Sequence, residues 1–392
     1  MINQKSVLIF GAGSVGRGFL GDLCTASGFL CWFVDTDANL VSQLEIARQY
    51  TLKIVCGQNS ERQISPVRAI HATETEGISS IIENAELIFT AAGGSALQHL
   101  AVPLAAGLNK RLMVNAPPVN ILVCENLPHA ETALRNYTQQ LISKEYADSF
   151  SAKAGFVRTV IGRMTPVASI GDHTTDKLTI STEEYAVLPV DADALVAPLP
   201  RISGIQAEHN FDSIIAQKLF LHNCAHAMLA YLGSLVHIET IAEVVQISAI
   251  REIVVNAMND VIAALAAEYE LQNDKLIDYR DSLMDRFACT ALGDTCKRVG
   301  RDPLRKLQAN DRLVGAARLV EKHAISPEAL SIGIAAALLY QEHGDEASLM
   351  LQNQIRNHGI VKVLRDVCGI SQHELLCKLV LDSMDMLSNF GQ

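Results

Sequence analysis

Ten residues into this 392-residue chain, Gly11-Ala12-Gly13-Ser14-Val15-Gly16 follows directly on a compact apolar run, Ser6–Phe10. A strand that enters a G-x-G-x-x-G turn and leaves as a helix has a specific physical use. The first glycine permits the tight turn, and the second lets backbone approach a pyrophosphate over the unpaired N–H groups of the helix start. The third permits close helix–strand packing. The apolar run Phe29–Val34 then reads as a second strand closed by Asp35, 19 residues beyond Gly16. A carboxylate there accepts hydrogen bonds from the adenosine ribose hydroxyls and repels a 2′-phosphate, which favours NAD over NADP. Asp37 is the competing carboxylate, but Asp35 follows the apolar run at once. The cofactor-binding residues expected are therefore Gly11, Gly13, Ser14, Val15, Gly16 and Asp35.

The rest of the first half keeps the same alternation. A helix is expected over about 38–49, with further compact strands over 87–90, 111–114 and 121–124 and helical pattern between them. This is the pattern of a Rossmann-type doubly wound α/β sheet. Residues 155–205, with a β-like 177–180, read as a connecting extension. From Phe211 onward the apolar spacing turns helical, over 211–233, 241–269 and 330–342, with Pro303 and Pro327 at helix starts and Gly344, Gly359 and Gly369 at breaks. Two domains are expected: residues 1–200 for the nucleotide and an all-helical 201–392 for catalysis and substrate, with a site in the cleft between them.

Composition narrows the function. A net charge of −11 argues against nucleic acid or a membrane surface as partner, since those partners call for a basic excess. The apolar run 330–340 falls short of the roughly 20 residues that span a bilayer. The strand begins too near the N-terminus to leave room for a signal peptide, and the nine cysteines are scattered without a CxxC pair, which suits a reducing compartment. A cytoplasmic protein is expected. No Cys/His cluster has metal-ligand spacing, so no metal is expected.

Polar groups on the helix that starts near Phe211 stand out against its apolar background. Lys218, Asn223 and His226 form K-x4-N-x2-H. At about 100° per residue, with Lys218 at zero, His226 falls near 80° and Asn223 near 140°, so all three line one side. A partly desolvated lysine can serve as general base, and an asparagine amide can donate to a developing oxyanion. Each residue by itself is as readily a snorkelling lysine or a satisfied core histidine.

The combination resembles the polyol-specific long-chain dehydrogenase/reductase family, over nearly the whole chain. The landmarks are Phe10–Phe19, Cys124-Glu125-Asn126, Lys218-Leu219-Phe220, His226 through Ala230–Gly233, Arg298–Leu307 and Asp311–Leu313. The resemblance implies an NAD-dependent, metal-independent oxidoreductase that interconverts a polyol phosphate, such as mannitol 1-phosphate, with its ketose phosphate. It implies Lys218 as general base, Asn126 and Asn223 as the oxyanion hole, and His226 as the residue that orients substrate hydroxyls. Its small-molecule partner would be a polyol or sugar phosphate.

Residues 297–312 supply a basic block for that phosphate. Lys297, Arg298, Arg301, Arg305, Lys306 and Arg312 face only Asp302 and Asp311, a local +4. Arginine forks suit phosphate, with lysine as a point charge. Arg301, Arg305 and Lys306 are the expected substrate ligands, against the alternative of a solvated helical face.

Three positions depart from the family pattern. Gly162-Arg163 stands where Asp-Arg is usual, Cys289 where Asn is usual after Arg286-Phe287, and His222 where relatives are apolar. They point to a phosphate ester other than mannitol 1-phosphate. Two alternatives stand beside this reading. One is a reductase of an unphosphorylated polyol, ketose or keto-uronate. The other is a catalytically silent NAD-binding regulator, against which the retained Lys218, Asn223, His226 and Asn126 speak.

Overall fold

A computed structural model of the chain describes residues 5–57, 59–165 and 177–390. Contacts divide it into two compact units, Met1–Phe211 and Asp212–Gln392.

Among the described residues the first unit has eleven strands: β1 (Ser6–Phe10), β2 (Leu30–Asp35), β3 (Tyr50–Ile54), β4 (Ser60–Ile64), β5 (Val67–His71), β6 (Leu87–Thr90), β7 (Val119–Val123), β8 (Ala154–Arg158), β9 (Ile180–Thr182), β10 (Leu188–Asp191) and β11 (Ile205–Glu208). Six of them form one all-parallel sheet in the order β5-β2-β1-β6-β7-β8. The chain winds outward from β1 to β5, then returns to β6 on the other side of β1. The crevice beyond the carboxyl ends of β1 and β6 is therefore a topological switch point, where open α/β sheets bind ligands. β1 and β6 read as near-continuous apolar runs, and β7 is buried throughout despite Asn120, because helices cover both faces of the sheet. Val7, Ile9, Phe33 and Phe89 pack on one face, and Leu8, Phe10, Ile88 and Ile121 on the other. Each such side chain contributes about 1.5–3 kcal/mol by leaving water.

Three sequence expectations are corrected here. Residues 111–114 are not a strand: Leu97–Met113 is one helix. Leu108 and Leu112 face the core, Gly107 packs where an added Cβ would lie 2.5 Å from Ile82, and Arg111 donates to the carbonyls of Ile82, Glu83 and Ala85. The local apolar run has the look of a strand because it is the buried end of that helix. Residues 155–205 are more than an extension, since β8 is the sixth strand of the main sheet and β10 pairs in parallel with β11. The β-like stretch begins later than its pattern suggests, at Ile180, and pairs with β3.

The second unit is helical. The helical run that opens it is Phe211–Ala216, Gln217–Asn223 and Cys224–Leu235 in succession. It packs against Ser248–Tyr269, Cys296–Gly300 and Glu328–Leu339. Small residues permit the close approach: a Cβ on Gly233 would lie 2.3 Å from Val244, and one on Gly333 would lie 2.6 Å from Met228. The apolar pattern over 241–269 is two helices rather than one, Ile241–Val244 and Ser248–Tyr269. Pro303 opens Pro303–Lys306, and Pro327 precedes Glu328–Leu339. Among the described residues no helix is long and apolar enough to cross a membrane, and no group of three or more His, Cys, Asp or Glu is placed to hold a metal ion.

Candidate active site

The glycine turn lies at the switch point, after β1. Gly11 has φ +99°, and a Cβ there would meet the Ala91 carbonyl oxygen at 2.3 Å. A Cβ on Gly16 would meet the Gly11 carbonyl oxygen at 1.9 Å. Both glycines are therefore demanded by backbone meeting backbone. Gly13 differs, because a Cβ there would meet no protein atom within 4 Å. Packing does not require that glycine, whereas a pyrophosphate lying on the backbone does, so the cradle fits a dinucleotide.

The helix after the turn is not regular. Gly16–Gly21 is a π turn, with hydrogen bonds spanning five residues, and an α-helix resumes at Asp22. The wide turn is braced from outside. Tyr50 donates its hydroxyl to the Arg17 carbonyl at 2.6 Å, and Arg17 Nε donates to the Ala12 carbonyl at 2.6 Å.

The two carboxylates that compete in sequence part company in space. Asp35 Oδ2 accepts from Ala12 N at 2.7 Å and Oδ1 from Asp37 N at 2.9 Å, so Asp35 is fixed against the glycine turn with lone pairs to spare. Asp37 caps the next helix, accepting from Asn39 N and Leu40 N, and pairs with Lys177 at 3.2 Å. Those bonds, that to Leu40 foremost, hold its carboxyl below the usual range. Asn126, three residues after β7, has an exposed side chain. Its neighbour Glu125 reaches across to the loop after β6, accepting from Ala92 N at 3.0 Å and Gly93 N at 2.8 Å.

In the second unit Lys218, His222 and Asn223 stand on another π turn, Gln217–Asn223. The Cys224 N–H reaches back to the Leu219 carbonyl. The angles expected from a regular helix do not hold here. With bonds spanning five residues, Asn223 lies a full turn beyond Lys218 rather than well round the helix from it. Lys218 is half-buried, and its Nζ stands 2.9 Å from His222 Nδ1.

His226 lies one turn further on. Its ring stacks on Phe287 at 4.8 Å between centroids, and its Nε2 stands 3.2 Å from Asp294 Oδ2. Burial pushes the His226 pKa down, and Asp294 offsets only part of that. Nε2 makes no well-aligned hydrogen bond among the described residues, but the nearby carboxylate favours the hydrogen on it, and with that tautomer Nδ1 is left to accept from a hydroxyl. Burial alone would raise the Asp294 carboxyl, but His226 and Arg298 outweigh it and hold it below the usual range. A neutral, oriented imidazole beside a lysine can bind a hydroxyl while the lysine takes its proton.

The basic block is less free than its sequence suggests. Lys297 pairs with Glu342, Arg298 with Asp294, Arg312 with Asp311, and Arg305 with Asp302 and more distantly with Asp311. Lys306 is 5% exposed, and its ammonium donates to the carbonyls of Val299 and Arg301. It therefore ties its own loop together instead of facing a ligand, which corrects its expected role. Among the described residues Arg301 is exposed and its guanidinium has no ion-pair partner. Sequence alone could not show this, because Glu342 and Asp294 lie outside the block.

Two family models cover nearly the entire chain. The mannitol dehydrogenase Rossmann domain matches residues 5–204, and the mannitol dehydrogenase C-terminal domain matches residues 210–383. The chain belongs to the mannitol dehydrogenase family. It is an oxidoreductase. It is 32% identical to the mannitol-1-phosphate 5-dehydrogenase of Bacillus licheniformis, covering 96% of this chain and 99% of that one. It is 33% identical to the enzyme of the same name from Bacillus subtilis, with 96% and 99% covered. Among solved structures, a D-sorbitol dehydrogenase superposes with a TM-score of 0.83 at 16% identity, covering 100% of this chain and 97% of that one. The Pseudomonas fluorescens mannitol 2-dehydrogenase, in a ternary complex with NAD and D-mannitol, gives 0.74 at 17% identity, with 100% and 93% covered. These two likenesses establish a shared fold.

The structure gives a physical setting for Gly162, where the sequence resemblance predicts an aspartate. A Cβ on Gly162 would lie 2.8 Å from the Tyr185 ring, so an aspartate does not fit unless that ring moves. Its neighbour Arg163 is buried, donating to the carbonyls of Gly18 and Glu183 and pairing with Asp22 at 2.9 Å. Sequence reasoning gave no role to Glu125, Asp294 or Phe287, which touch the loop after β6 or the His226 ring. Glu125 and Phe287 carried a signal, as parts of the Cys124-Glu125-Asn126 and Arg286-Phe287 blocks, and Asp294 carried none.

Proposed function

We propose that the chain is an NAD-dependent oxidoreductase that interconverts a polyol phosphate and a ketose phosphate, with Lys218 as general base and no metal. The observation that carries the reading is Lys218 on a widened helical turn, with a neutral His226 about two turns further along the same helical run, near Asp294 and stacked on Phe287. Whole-length likeness to enzymes named mannitol-1-phosphate 5-dehydrogenase supports the substrate class.

NAD, when bound, supplies a hydride acceptor. Gly11, Gly13, Ser14, Val15 and Gly16 would hold its pyrophosphate and Asp35 its adenosine ribose, which excludes a 2′-phosphate by charge. In the oxidative direction Lys218 takes the hydroxyl proton of the polyol as the carbon gives up hydride, and in the reverse direction the ammonium returns it. His226 Nδ1 accepts from a substrate hydroxyl and fixes the carbon to be oxidised. Asn126 and Asn223 would donate to the oxygen as negative charge develops there, and Arg301, with Arg305 beside it, would bind the phosphate.

A second reading, an unphosphorylated polyol or a keto-uronate as substrate, is favoured by the neutralised block: with Lys306 buried and Arg305 paired, Arg301 stands alone as the freely available cation. The deciding assay follows NADH absorbance with fructose 6-phosphate beside plain fructose. We expect oxidation with the phosphate ester, reduced at least about 10²-fold in Lys218→Ala, with NADH binding retained. Turnover led by plain fructose would move the assignment to the second reading, and turnover unaffected by Lys218→Ala would remove the lysine from the mechanism.

A further inference from the structure

The helix of the second unit carries a titratable group that the reading above leaves idle. His222 is 2% exposed and lies four residues beyond Lys218 on the π turn. Its ring meets Phe287 edge-on at 5.6 Å between centroids, with the His226 ring at 6.2 Å. A buried imidazole is unfavourable unless a partner satisfies it, and a leucine would fill the space without that penalty. The partner it has is Lys218, with Nζ 2.9 Å from Nδ1.

Burial drives the His222 pKa well below its ordinary value. Lys218 and His226 on its own helix, Arg286 on Asn273–Phe287 and Arg312 ahead of Val314–Lys322 add to the effect. The ring is therefore uncharged at neutral pH. An ammonium has three donors and no lone pair, so beside it Nδ1 must be the acceptor and the ring hydrogen must sit on Nε2. When Lys218 loses its proton, the amine still donates one N–H to Nδ1. Its lone pair is thereby directed away from the imidazole.

We infer that His222 is a positioning residue for Lys218: Nδ1 holds one amine N–H in both protonation states, so that the lone pair faces the substrate hydroxyl. The inference rests on the reading of Lys218 as general base. In the oxidative step the hydroxyl proton passes to Nζ, and His222 keeps its single proton throughout. A regular helix would also allow a contact four residues on. What this chain adds is an imidazole at that position, on a turn that also carries Asn223.

The test compares three variants. His222→Leu keeps the volume and removes the acceptor. His222→Asn puts Oδ1 close to where Nδ1 stands. His222→Gln moves the acceptor outward, to the place of Nε2. We expect kcat for fructose 6-phosphate reduction to fall on the order of 10- to 100-fold in the Leu and Gln variants, with KM and NADH affinity little changed, and to recover in the Asn variant, as expected when a reacting group is misplaced rather than removed. A second readout does not depend on turnover. The rate of trinitrobenzenesulfonate labelling of Lys218, read by peptide mass spectrometry at one fixed pH, should change in Leu and Gln and stay as in wild type in Asn.

If Leu keeps the wild-type kcat and labelling rate, the positioning role is wrong. If Leu, Gln and Asn lose activity alike with unaltered labelling, His222 only packs, and the inference also fails. Should wild type turn over no phosphate ester at all, the parent reading fails separately, and the labelling comparison still decides whether His222 holds the amine.

Discussion

Among the described residues two widened helical turns stand at or beside places where binding or chemistry is proposed, and they are made in opposite ways. Gly16–Gly21 continues a turn made of backbone, Gly11–Gly16, in which Gly11 and Gly16 admit no side chain and the bound group would meet N–H groups and the bare Gly13. Gln217–Asn223 is a turn of side chains, with Lys218, His222 and Asn223 on it and its neighbours buried. Both use five-residue hydrogen bonding, which is uncommon and recurs at functional sites. The difference is one of tolerance. A site made of backbone breaks when anything is added to it, whereas a site made of side chains keeps its fold and loses only its reaction.

The comparison can be broken most severely at Gly16. A Cβ there would lie 1.9 Å from a carbonyl oxygen, so Gly16→Ala should lower stability by more than about 3 kcal/mol and abolish NADH binding. Urea melts and NADH fluorescence titration check this, and a folded, NADH-binding variant would show that the turn yields more easily than its contacts imply. Lys218→Ala is the counterpart, with the fold and NADH binding kept and turnover lost by at least about 10²-fold.

Arg301→Ala sharpens the comparison within the helical unit. With Arg305 already paired to Asp302 and Arg301 carrying most of the hold on the phosphate, KM for the phosphate ester should rise about 10-fold, or about 1.4 kcal/mol, while KM for plain fructose stays put. Equal effects on both sugars would detach Arg301 from the phosphate.

The smallest effect concerns Lys306. Burial, reinforced by Arg312 and Arg305, pushes its pKa down to about 7. The unfolded lysine holds its proton up to about 10.4, so between these values the unfolded state binds more proton and stability rises with pH. The penalty is present in full below about 7 and is gone above about 10. Relative to Lys306→Met, wild type should gain up to about 1.4 kcal/mol of stability per pH unit across that window. Parallel urea melts from neutral to mildly alkaline pH measure this. A flat difference would mean that the carbonyls of Val299 and Arg301 hold the ammonium well enough to cancel the burial.

Much of the first turn was legible in the sequence because its cause is local. Glycines five and two residues apart, a strand before them and Asp35 after the next strand are all short-range facts. The helical face of Lys218, Asn223 and His226 was legible as a set, but its geometry was not, since nothing in the residue pattern announces a π turn. The strand misread at 111–114 has the same origin. Four residues look alike whether they end a buried helix or form a strand, and what decides is Ile82 and its neighbouring carbonyls, nearly thirty residues away.

The sequence by itself determined the parallel sheet, the nucleotide turn, the helical second half and the types of residue available for proton transfer, because each follows from spacing or from the chemistry of one side chain. Only the tertiary structure decided which of those residues are already occupied. It turned Lys306 from a phosphate ligand into a buried tie, made Asp37 a helix cap, gave His226 its Asp294 and Phe287, and set His222 against Lys218. The physical reason is that a polar group's role depends on what else it touches, and partners such as Glu342, Asp294 and Phe287 come from segments tens of residues distant that only packing brings together.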